Sequence, residues 1–371
     1  MGRIAVFAAV FITSSLLLTG APASAGTLQP SGWQYAKVAP TDTVEGGDAL
    51  SCVTQNWCMS VGSGGTQIWD GQQWSASTTR QPKFDIRALS CFSKWDCMAV
   101  GTVIADTGVG EVQTPVAMHW NGTSWTQLDP SVQLPDEELF TGVSCPATKT
   151  CFVTGYLNSR VLLWQNGIWT SQPITLPADA TKIDVGDIDC PAVTSCHATA
   201  GVHFAGQPSY AVSTGVANWD GSTWSVELLP DDQYGRVGIG SISCPTTNSC
   251  VGVGANQNSD LVGESWDGTT WHESVIPDSP NKGDQAEQEL DGFQELTSVS
   301  CWAVDRCQAV GITNTAPFHR YWNGTNWSSL ANPTATDVLA AAGVGIREND
   351  IDCVYYTFCL TTGDRMERFL P

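Results

Sequence analysis

The chain is poor in basic residues. It contains 16 Lys and Arg against 37 Asp and Glu, which gives a formal net charge of −21 over 371 residues. Nucleic acids and anionic membrane surfaces bind basic protein surfaces, so this balance argues against both kinds of partner. No apolar run after residue 25 is long enough to span a membrane, so we expect no membrane insertion.

Signatures of common catalytic sites are also missing. The sequence has no Gly-x-Ser-x-Gly elbow, no His-Glu-x-x-His and no glycine-rich phosphate loop followed by Lys. Its five histidines are scattered, and no cysteine is left over as a nucleophile because all of them fall into pairs. The segment from Asp184 to Asp189 resembles a calcium loop, but its spacing does not match an EF-hand. We expect no metal and no cofactor, with calcium as the one alternative, and the sequence favours a non-enzymatic protein.

The first 25 residues have the pattern of an export signal. Arg3 supplies the positive start, an apolar run extends from Ile4 to Leu18, and Ala23-Ser24-Ala25 forms a small-residue cleavage site. We therefore expect a secreted, extracellular protein in which residues 26–371 form a single domain.

Cysteine, in contrast, is abundant and regularly spaced. Five residues separate the members of each of seven pairs: Cys52 and Cys58, Cys91 and Cys97, Cys145 and Cys151, Cys190 and Cys196, Cys244 and Cys250, Cys301 and Cys307, Cys353 and Cys359. In an exported protein such a set predicts disulfides, and the spacing is not typical of zinc sites. The first cysteines of successive pairs lie 39, 54, 45, 54, 57 and 52 residues apart. Since a unit of four strands needs about 40–50 residues, we predict seven such units, starting near residues 47, 85, 139, 184, 238, 295 and 347.

Tryptophan pairs mark the second half of six units. Their members lie five residues apart: Trp69 and Trp74, Trp120 and Trp125, Trp164 and Trp169, Trp219 and Trp224, Trp266 and Trp271, Trp322 and Trp327. The Asp-Gly or Asn-Gly turns between them predict hairpins. These rings either form a ladder for stacking sugars or pack between neighbouring units, and we favour packing.

The two ends of the chain complement each other. The last unit has no second Trp, and the segment Gly32–Val38, which contains Trp33, resembles the missing fourth strand. We therefore predict an all-β fold, a seven-bladed β-propeller of four-stranded antiparallel blades with one disulfide per blade. An N-terminal strand at about residues 31–39 closes the last blade and so removes exposed sheet edges. A row of independent hairpin modules is the alternative.

Two short motifs resemble known propeller families. The Asp-Gly-x-x-Trp turn is similar to the Asp box of sialidase-type propellers, and the glycine that ends the second strand is similar to that of kelch repeats. The acidic or amide position of the turn is matched by Asp70, Asn121, Asp220, Asp267 and Asn323. Trp replaces the Ser or Thr that precedes the Asp of an Asp box, and the sialidase catalytic constellation is missing. The whole pattern resembles exported bacterial propellers with Cys-x5-Cys and Trp-Asp-Gly-x-x-Trp repeats, and this resemblance implies a fold but no activity.

Loop lengths predict two different faces. With the strands of each blade named a to d from the first cysteine strand onward, the a–b and c–d turns are nearly constant and share one face, the constant face. The b–c and d–a loops vary in length and share the opposite face, the variable face, where we expect ligands. This face is acidic, with Asp136, Glu137, Glu138, Asp231, Asp232, Asp278, Asp284, Glu287, Glu289 and Asp291.

Blades four and seven depart from the repeat in strand a. They carry Asp187 and Asp350 three positions before the cysteine, and Asp189 and Asp352 directly before it, where other blades have small or neutral residues. We predict a ligand-binding site at the channel mouth, formed by Asp85, Arg87, Asp184, Asp187, Arg347 and Asp350. As an alternative, Asp187, Asp350 and Glu295 are candidate catalytic acids and bases. A solvated acidic rim, with Asp189 and Asp352 bonded to turn amides, would explain the same pattern.

Aromatic residues on the constant face are confined to the Cys-x5-Cys loops of four neighbouring blades. The candidate ligand-binding residues there are Trp57, Trp95, Trp302, Tyr355 and Tyr356, with Phe92 and Phe358 nearby. They either form a crescent for sugars or partners or cover the disulfides. Our leading hypothesis is a monomeric, non-enzymatic propeller that binds carbohydrate, a cell-envelope component or an extracellular protein. The alternatives are a polysaccharide hydrolase or lyase that uses the channel carboxylates and a structural module without a small ligand.

Overall fold

The computed structural model describes residues 32–36, 47–62, 65–76, 84–106, 111–130, 138–208, 212–229, 237–256, 258–279, 294–313, 317–330, 348–355, 358–363 and 367–370. The export signal, Arg347, Tyr356 and most of the acidic loop residues lie outside these ranges. Within these ranges, 28 strands form seven four-stranded antiparallel sheets. Among the described residues there is no helix of the length and apolarity needed to cross a membrane.

The first strand, β1 (Gly32–Tyr35), precedes blade one. Blade one contains β2 (Ala49–Thr54), β3 (Trp57–Gly62), β4 (Gly65–Trp69) and β5 (Trp74–Ala76). Blade two contains β6 (Asp85–Ser93), β7 (Asp96–Asp106), β8 (Glu111–Trp120) and β9 (Trp125–Leu128). Blade three contains β10 (Leu139–Ala147), β11 (Thr150–Tyr156), β12 (Arg160–Gln165) and β13 (Ile168–Pro173).

The second half of the chain repeats this order. Blade four contains β14 (Ala180–Ala192), β15 (Ser195–Phe204), β16 (Val212–Trp219) and β17 (Trp224–Leu228). Blade five contains β18 (Val237–Thr246), β19 (Ser249–Asn256), β20 (Leu261–Trp266) and β21 (Trp271–Val275). Blade six contains β22 (Gln294–Ala303), β23 (Arg306–Thr313), β24 (Pro317–Trp322) and β25 (Trp327–Leu330). Blade seven contains β26 (Glu348–Tyr355), β27 (Phe358–Gly363), β28 (Glu367–Leu370) and, as its fourth strand, β1.

The ring is closed by the N-terminal strand. β1 pairs antiparallel with β28, and Trp33 lies opposite Phe369. The Trp33 side chain is 3% exposed and stacks on the ring of His319 in blade six, with ring centroids 4.5 Å apart. Each inner strand contacts those of the neighbouring blades, and β26 contacts β2. The seven-bladed propeller with its closing strand is therefore confirmed, and the alternative of independent hairpin modules is wrong.

Every disulfide lies within one blade, as predicted. Each joins the inner strand to the second strand of the same sheet, with Cα atoms 4.0–4.1 Å apart. The bonds join Cys52 to Cys58, Cys91 to Cys97, Cys145 to Cys151, Cys190 to Cys196, Cys244 to Cys250, Cys301 to Cys307 and Cys353 to Cys359. On the chain-entropy estimate, a loop of this size contributes about 2 kcal/mol to stability. The pairing pins the two-residue a–b turns that form much of the constant face.

Glycine in the second strand allows a close backbone approach. A Cβ at Gly101 would lie 2.0 Å from the Asp85 carbonyl oxygen, and one at Gly254 would lie 1.8 Å from that of Gly238. Both contacts occur beside a β-bulge in the inner strand, between Ile86 and Ala88 in blade two and between Ile239 and Ser241 in blade five. The bulge bends the inner strand towards its neighbour, and only glycine fits the space left.

The tryptophan pairs pack between blades, as we favoured. In each hairpin the two Trp residues are direct cross-strand partners, for example Trp69 and Trp74, which are both fully buried. The indole N–H of Trp69 also donates to the Gln55 carbonyl in the a–b turn, at 3.1 Å. The Trp pairs therefore fill the space between sheets and tie the two kinds of turn on the constant face together.

Turn chemistry explains the constant c–d connection. The Asp70 carboxylate accepts hydrogen bonds from the backbone N–H groups of Gln72 and Gln73, at 2.8 and 2.9 Å. Gly71 then adopts a φ of +95°, a conformation that favours glycine. Asn121, Asp220, Asp267 and Asn323 make the corresponding bonds in their blades.

Candidate functional site

A ring of hydrogen bonds links the inner strands of all seven blades. The residue directly before the first cysteine of each blade accepts a bond from the backbone N–H of the first cysteine of the next blade. The acceptors are Ser51, Ser90, Ser144, Asp189, Ser243, Ser300 and Asp352, at distances of 2.7–3.0 Å. The bond from Cys52 to Asp352 closes the ring. Asp189 and Asp352 therefore accept hydrogen bonds from the neighbouring inner strand. The solvated-rim alternative had supposed instead that they bond to turn amides.

A second layer of bonds lies nearer the variable face. The Asp187 carboxylate accepts from the Ser241 hydroxyl and the Ile242 N–H of blade five, at 2.9 and 3.0 Å. The Asp350 carboxylate accepts from the Ser298 hydroxyl of blade six at 2.7 Å and from the Leu50 N–H of blade one at 2.9 Å. The same position in blades one, two and three holds Ala49, Ala88 and Gly142, which have no side-chain acceptor. The second layer is therefore incomplete on one side of the channel.

Burial changes the protonation of the four inner-strand carboxyl groups. Desolvation raises the pKa of Asp189 and of Asp350 to about 7 and that of Asp352 to about 6, and it also raises the pKa of Asp187. Repulsion across the channel adds to this, because the charge of Asp352 raises the pKa of Asp189 and that of Asp187 raises the pKa of Asp350. Asp189, Asp350 and Asp352 consequently exchange protons near neutral pH.

The four carboxyl groups line a central cavity of about 390 Å³, which is bounded by the inner strands of all seven blades. Arg87 also lines this central cavity and forms an ion pair with Asp85 at 2.6 Å, where both side chains are exposed. The structure thus brings Arg87, Asp187 and Asp350 of the predicted mouth site to one cavity. Glu295 does not line it, although desolvation raises the pKa of its carboxyl group.

A second cavity, which we call the side cleft, lies beside the channel on the variable face. It has a volume of about 660 Å³ and is bounded by residues of blades three, four and five. The side cleft and the central cavity share Thr141, Gly186 and Gly240, so the two spaces adjoin.

The charged group of the side cleft is centred on Asp184. Its carboxylate is 2.9 Å from His203 Nε2 and 2.7 Å from Lys182 Nζ. Tyr156 lies on the neighbouring blade three with 49% of its surface exposed, and Lys182 Nζ lies 5.9 Å from the centre of its ring. Asp184 was a predicted site residue, whereas the sequence analysis missed His203 and Tyr156. The sequence carried no signal for the pair Asp184–His203, because Lys182 is the cross-strand partner of His203 only through the register shift between Val185 and Ile188.

The aromatic residues of the constant face fall into two groups. Trp57 and Trp302 are partly buried against the hydrophobic clusters between blades, and Trp302 stacks on Tyr321 at 6.3 Å. Trp95 and Phe92 in blade two are 62% and 44% exposed. The described part of the predicted crescent is therefore an exposed pair of rings on blade two, with half-buried rings on blades one and six and a buried ring, Phe358, on blade seven.

One group of potential metal-binding side chains occurs among the described residues. It consists of His197, Cys244 and Cys250, whose ligand atoms lie within 4.8 Å of one another. The two sulfur atoms form a disulfide and carry no thiolate. This group therefore does not offer the ligands that a zinc or copper ion requires.

Comparison with known proteins supports the fold alone. No family model matches the chain, and no curated protein matches it. Among solved structures, YCF48 from Cyanidioschyzon merolae has a TM-score of 0.57 and 14% identity, covering 92% of this chain and 98% of its own. A streptogramin B lyase has a TM-score of 0.57 and 8% identity, covering 91% and 96%. A GH74 xyloglucanase from Xanthomonas campestris has a TM-score of 0.53 and 12% identity, covering 90% of this chain and 52% of its own. At such identities the likeness is one of propeller architecture.

Proposed function

We propose that this protein is a secreted, non-enzymatic propeller that binds a carbohydrate, a cell-envelope component or another protein through its variable face. The observation that carries the proposal is the contrast between the two faces. On the constant face, the a–b turns described here have two residues between strands and the c–d turns have two or four. On the variable face the connections are much longer, and the one between β21 and β22 covers residues 276–293.

The side cleft lies on the variable face, where the loops differ in length. The side cleft is formed at the ends of β11, β15 and β19 and at the starts of β14 and β18, all of which point to the variable face. Binding sites commonly occupy such loop ends because the sheets hold them in place while their sequences differ. The structural neighbours have mixed functions, so the proposal depends on this arrangement and not on the fold.

The proposal is tested by binding measurements on the purified chain that begins at residue 26. A glycan array tests carbohydrates, and a pull-down from culture supernatant and envelope fractions tests proteins and envelope components. We expect reproducible capture of at least one ligand, and capture should weaken when variable-face residues are changed. Blank results in both experiments would contradict a binding role.

A polysaccharide hydrolase or lyase is the second candidate. The buried carboxyl groups favour it, because a pKa of about 7 for Asp350 suits a general acid near neutral pH. Against it, the bonds from Ser298 and Leu50 already occupy both oxygens of Asp350. If the candidate is right, Asp187→Asn and Asp350→Asn will each abolish turnover of a polysaccharide substrate while the fold is kept. Full activity in both variants would reject these residues as catalysts.

A further inference from the structure

We propose that the side cleft is a saccharide-binding site, in which Tyr156 stacks on a sugar ring and the pair Asp184–His203 binds its hydroxyl groups. This inference depends on the binding role proposed above and names its site and ligand class. The following features of the side cleft support it.

Tyr156 has the environment of a stacking ring. Its side chain is 49% exposed at the wall of the side cleft and belongs to none of the hydrophobic clusters that fill the described interfaces between blades. The interblade tryptophans Trp69, Trp74 and Trp224, in contrast, are fully buried. An exposed aromatic face beside polar groups offers a flat apolar surface to the C–H face of a sugar, while its hydroxyl can still bond to water.

Asp184 and His203 form an oriented polar pair. The Oδ2 atom of Asp184 lies 2.9 Å from His203 Nε2, and its Oδ1 atom lies 2.7 Å from Lys182 Nζ. The side chains of Asp184 and His203 are 16% and 22% exposed, so both reach the side cleft but are shielded from bulk water. The oxygen that faces Lys182 is fully enclosed, whereas the oxygen bonded to His203 has a second acceptor site to which a sugar hydroxyl group can donate.

Five small residues form part of the wall and leave room for a ring beside the larger Val185, Val212 and Ile239. Gly186, Ala200, Gly201, Gly238 and Gly240 line the side cleft. Its volume of about 660 Å³ lies within the range of roughly 300–1,000 Å³ that is usual for small-ligand sites. The net charge of −21 repels polyanions, so a neutral saccharide fits better than a polymer of acidic sugars.

The experiment measures binding of neutral tetrasaccharides by isothermal titration calorimetry. The probes are cellotetraose, laminaritetraose, xylotetraose, mannotetraose and chitotetraose, with the chain from residue 26 onward as the receptor. We expect at least one probe to bind. Tyr156→Ala should weaken that binding about tenfold or more, and His203→Gln about threefold to tenfold, as the loss of a stacking ring or one hydrogen bond implies.

A blocking variant tests the same site without removing a polar group. A Cβ at Gly240 would have only the Leu296 carbonyl oxygen within 4 Å, at 3.9 Å, so Gly240→Val should fold normally and narrow the junction between the side cleft and the central cavity, which Gly240 lines. The matched control is His272→Gln on the constant face, where His272 Nε2 also lies 3.0 Å from an aspartate, Asp267. We expect Gly240→Val to weaken binding at least tenfold and His272→Gln to leave it unchanged.

The outcomes separate this inference from the general binding role. If a probe binds the unchanged protein and all three cleft variants bind equally well, the saccharide site lies elsewhere and the inference is wrong, while the binding role stands. Loss of binding in Trp95→Ala alone would place the site on the constant face and would also overturn the inference. If no probe binds, the side cleft is not a site for neutral saccharides, and the pull-down then decides the binding role.

Discussion

The buried carboxyl groups of the ring make the stability of this protein depend on pH. Asp189 and Asp352 do what serine does in the other five blades, since each accepts one bond from a cysteine N–H of the next blade. The double variant Asp189→Ser, Asp352→Ser therefore keeps an acceptor at both places and removes two carboxyl groups. We expect it to be more stable than the unchanged protein at pH 8, by a margin that shrinks at pH 6 and again at pH 4.5 and vanishes only below pH 3.8.

The size of the effect follows from the pKa values. Burial raises the pKa of Asp189 from 3.8 to about 7 and that of Asp352 from 3.8 to about 6. A raised pKa means that the unfolded chain ionises more readily, so the associated stability is complete below pH 3.8 and is lost as the pH rises through 6 to 7. One pKa unit corresponds to about 1.4 kcal/mol, so at pH 8 the loss is about 4 kcal/mol for Asp189 and about 3 kcal/mol for Asp352.

The assay is urea unfolding followed by tryptophan fluorescence at pH 4.5, 6 and 8. The free energy of unfolding of the unchanged protein should fall over this range, and that of the double variant should fall much less, with a remainder from Asp187 and Asp350. Asp220→Asn is the matched control. The Asp220 carboxylate is exposed, and turn N–H groups lower its pKa to about 2, so its replacement should leave the pH dependence unchanged. An equally steep pH dependence in the double variant would refute this reasoning.

Three further predictions concern the scaffold. Trp33→Ala should lower the free energy of unfolding by about 3–5 kcal/mol, as measured by urea unfolding, because the ring is 3% exposed and stacks on His319. Replacing Cys91 and Cys97 together by Ser should lower it by about 2 kcal/mol without loss of the fold in circular dichroism, since six other disulfides remain. Trp95→Ala should change the urea midpoint by no more than the equivalent of about 0.5 kcal/mol, because 62% of the side chain is exposed, and a larger drop would show that this ring supports the blade.

The architecture could be predicted because each blade repeats the same local chemistry. Cys-x5-Cys spacing places two cysteines on adjacent strands, and the Asp-Gly or Asn-Gly turn places two tryptophans opposite each other, whatever the rest of the chain does. The closing strand was predictable for the same reason, since Trp33 repeats the setting of the second Trp of a hairpin. Loop extents were less predictable. The sequence indicated only that the b–c loops differ in length, whereas in blade two β7 and β8 continue as a paired hairpin to Asp106 and Glu111.

The site was harder to predict because its partners come from different blades. The bond between Asp189 and the Cys244 N–H joins residues 55 positions apart, and its existence depends on how closely two inner strands approach. The pair Asp184–His203 lies within one blade, but a bulge between Val185 and Ile188 shifts the register that a count from the cysteines would assume. The burial of individual side chains could not be predicted from the sequence either. Trp57 and Trp95 occupy similar loops, yet only Trp95 is largely exposed.

Blade four is the place where the departures from the repeat converge. It carries Asp187 and Asp189 towards the central cavity and Asp184 and His203 towards the side cleft, and Gly186 borders both spaces. Ring closure does not require these residues, because serine makes the same bond in five other blades and leaves no carboxyl group to be desolvated. A buried carboxyl group that costs several kcal/mol at neutral pH, where a hydroxyl would do, points to a role beyond holding the ring together. The same blade also supplies the polar pair of the side cleft, so the variable face at blade four is where a ligand should first be sought.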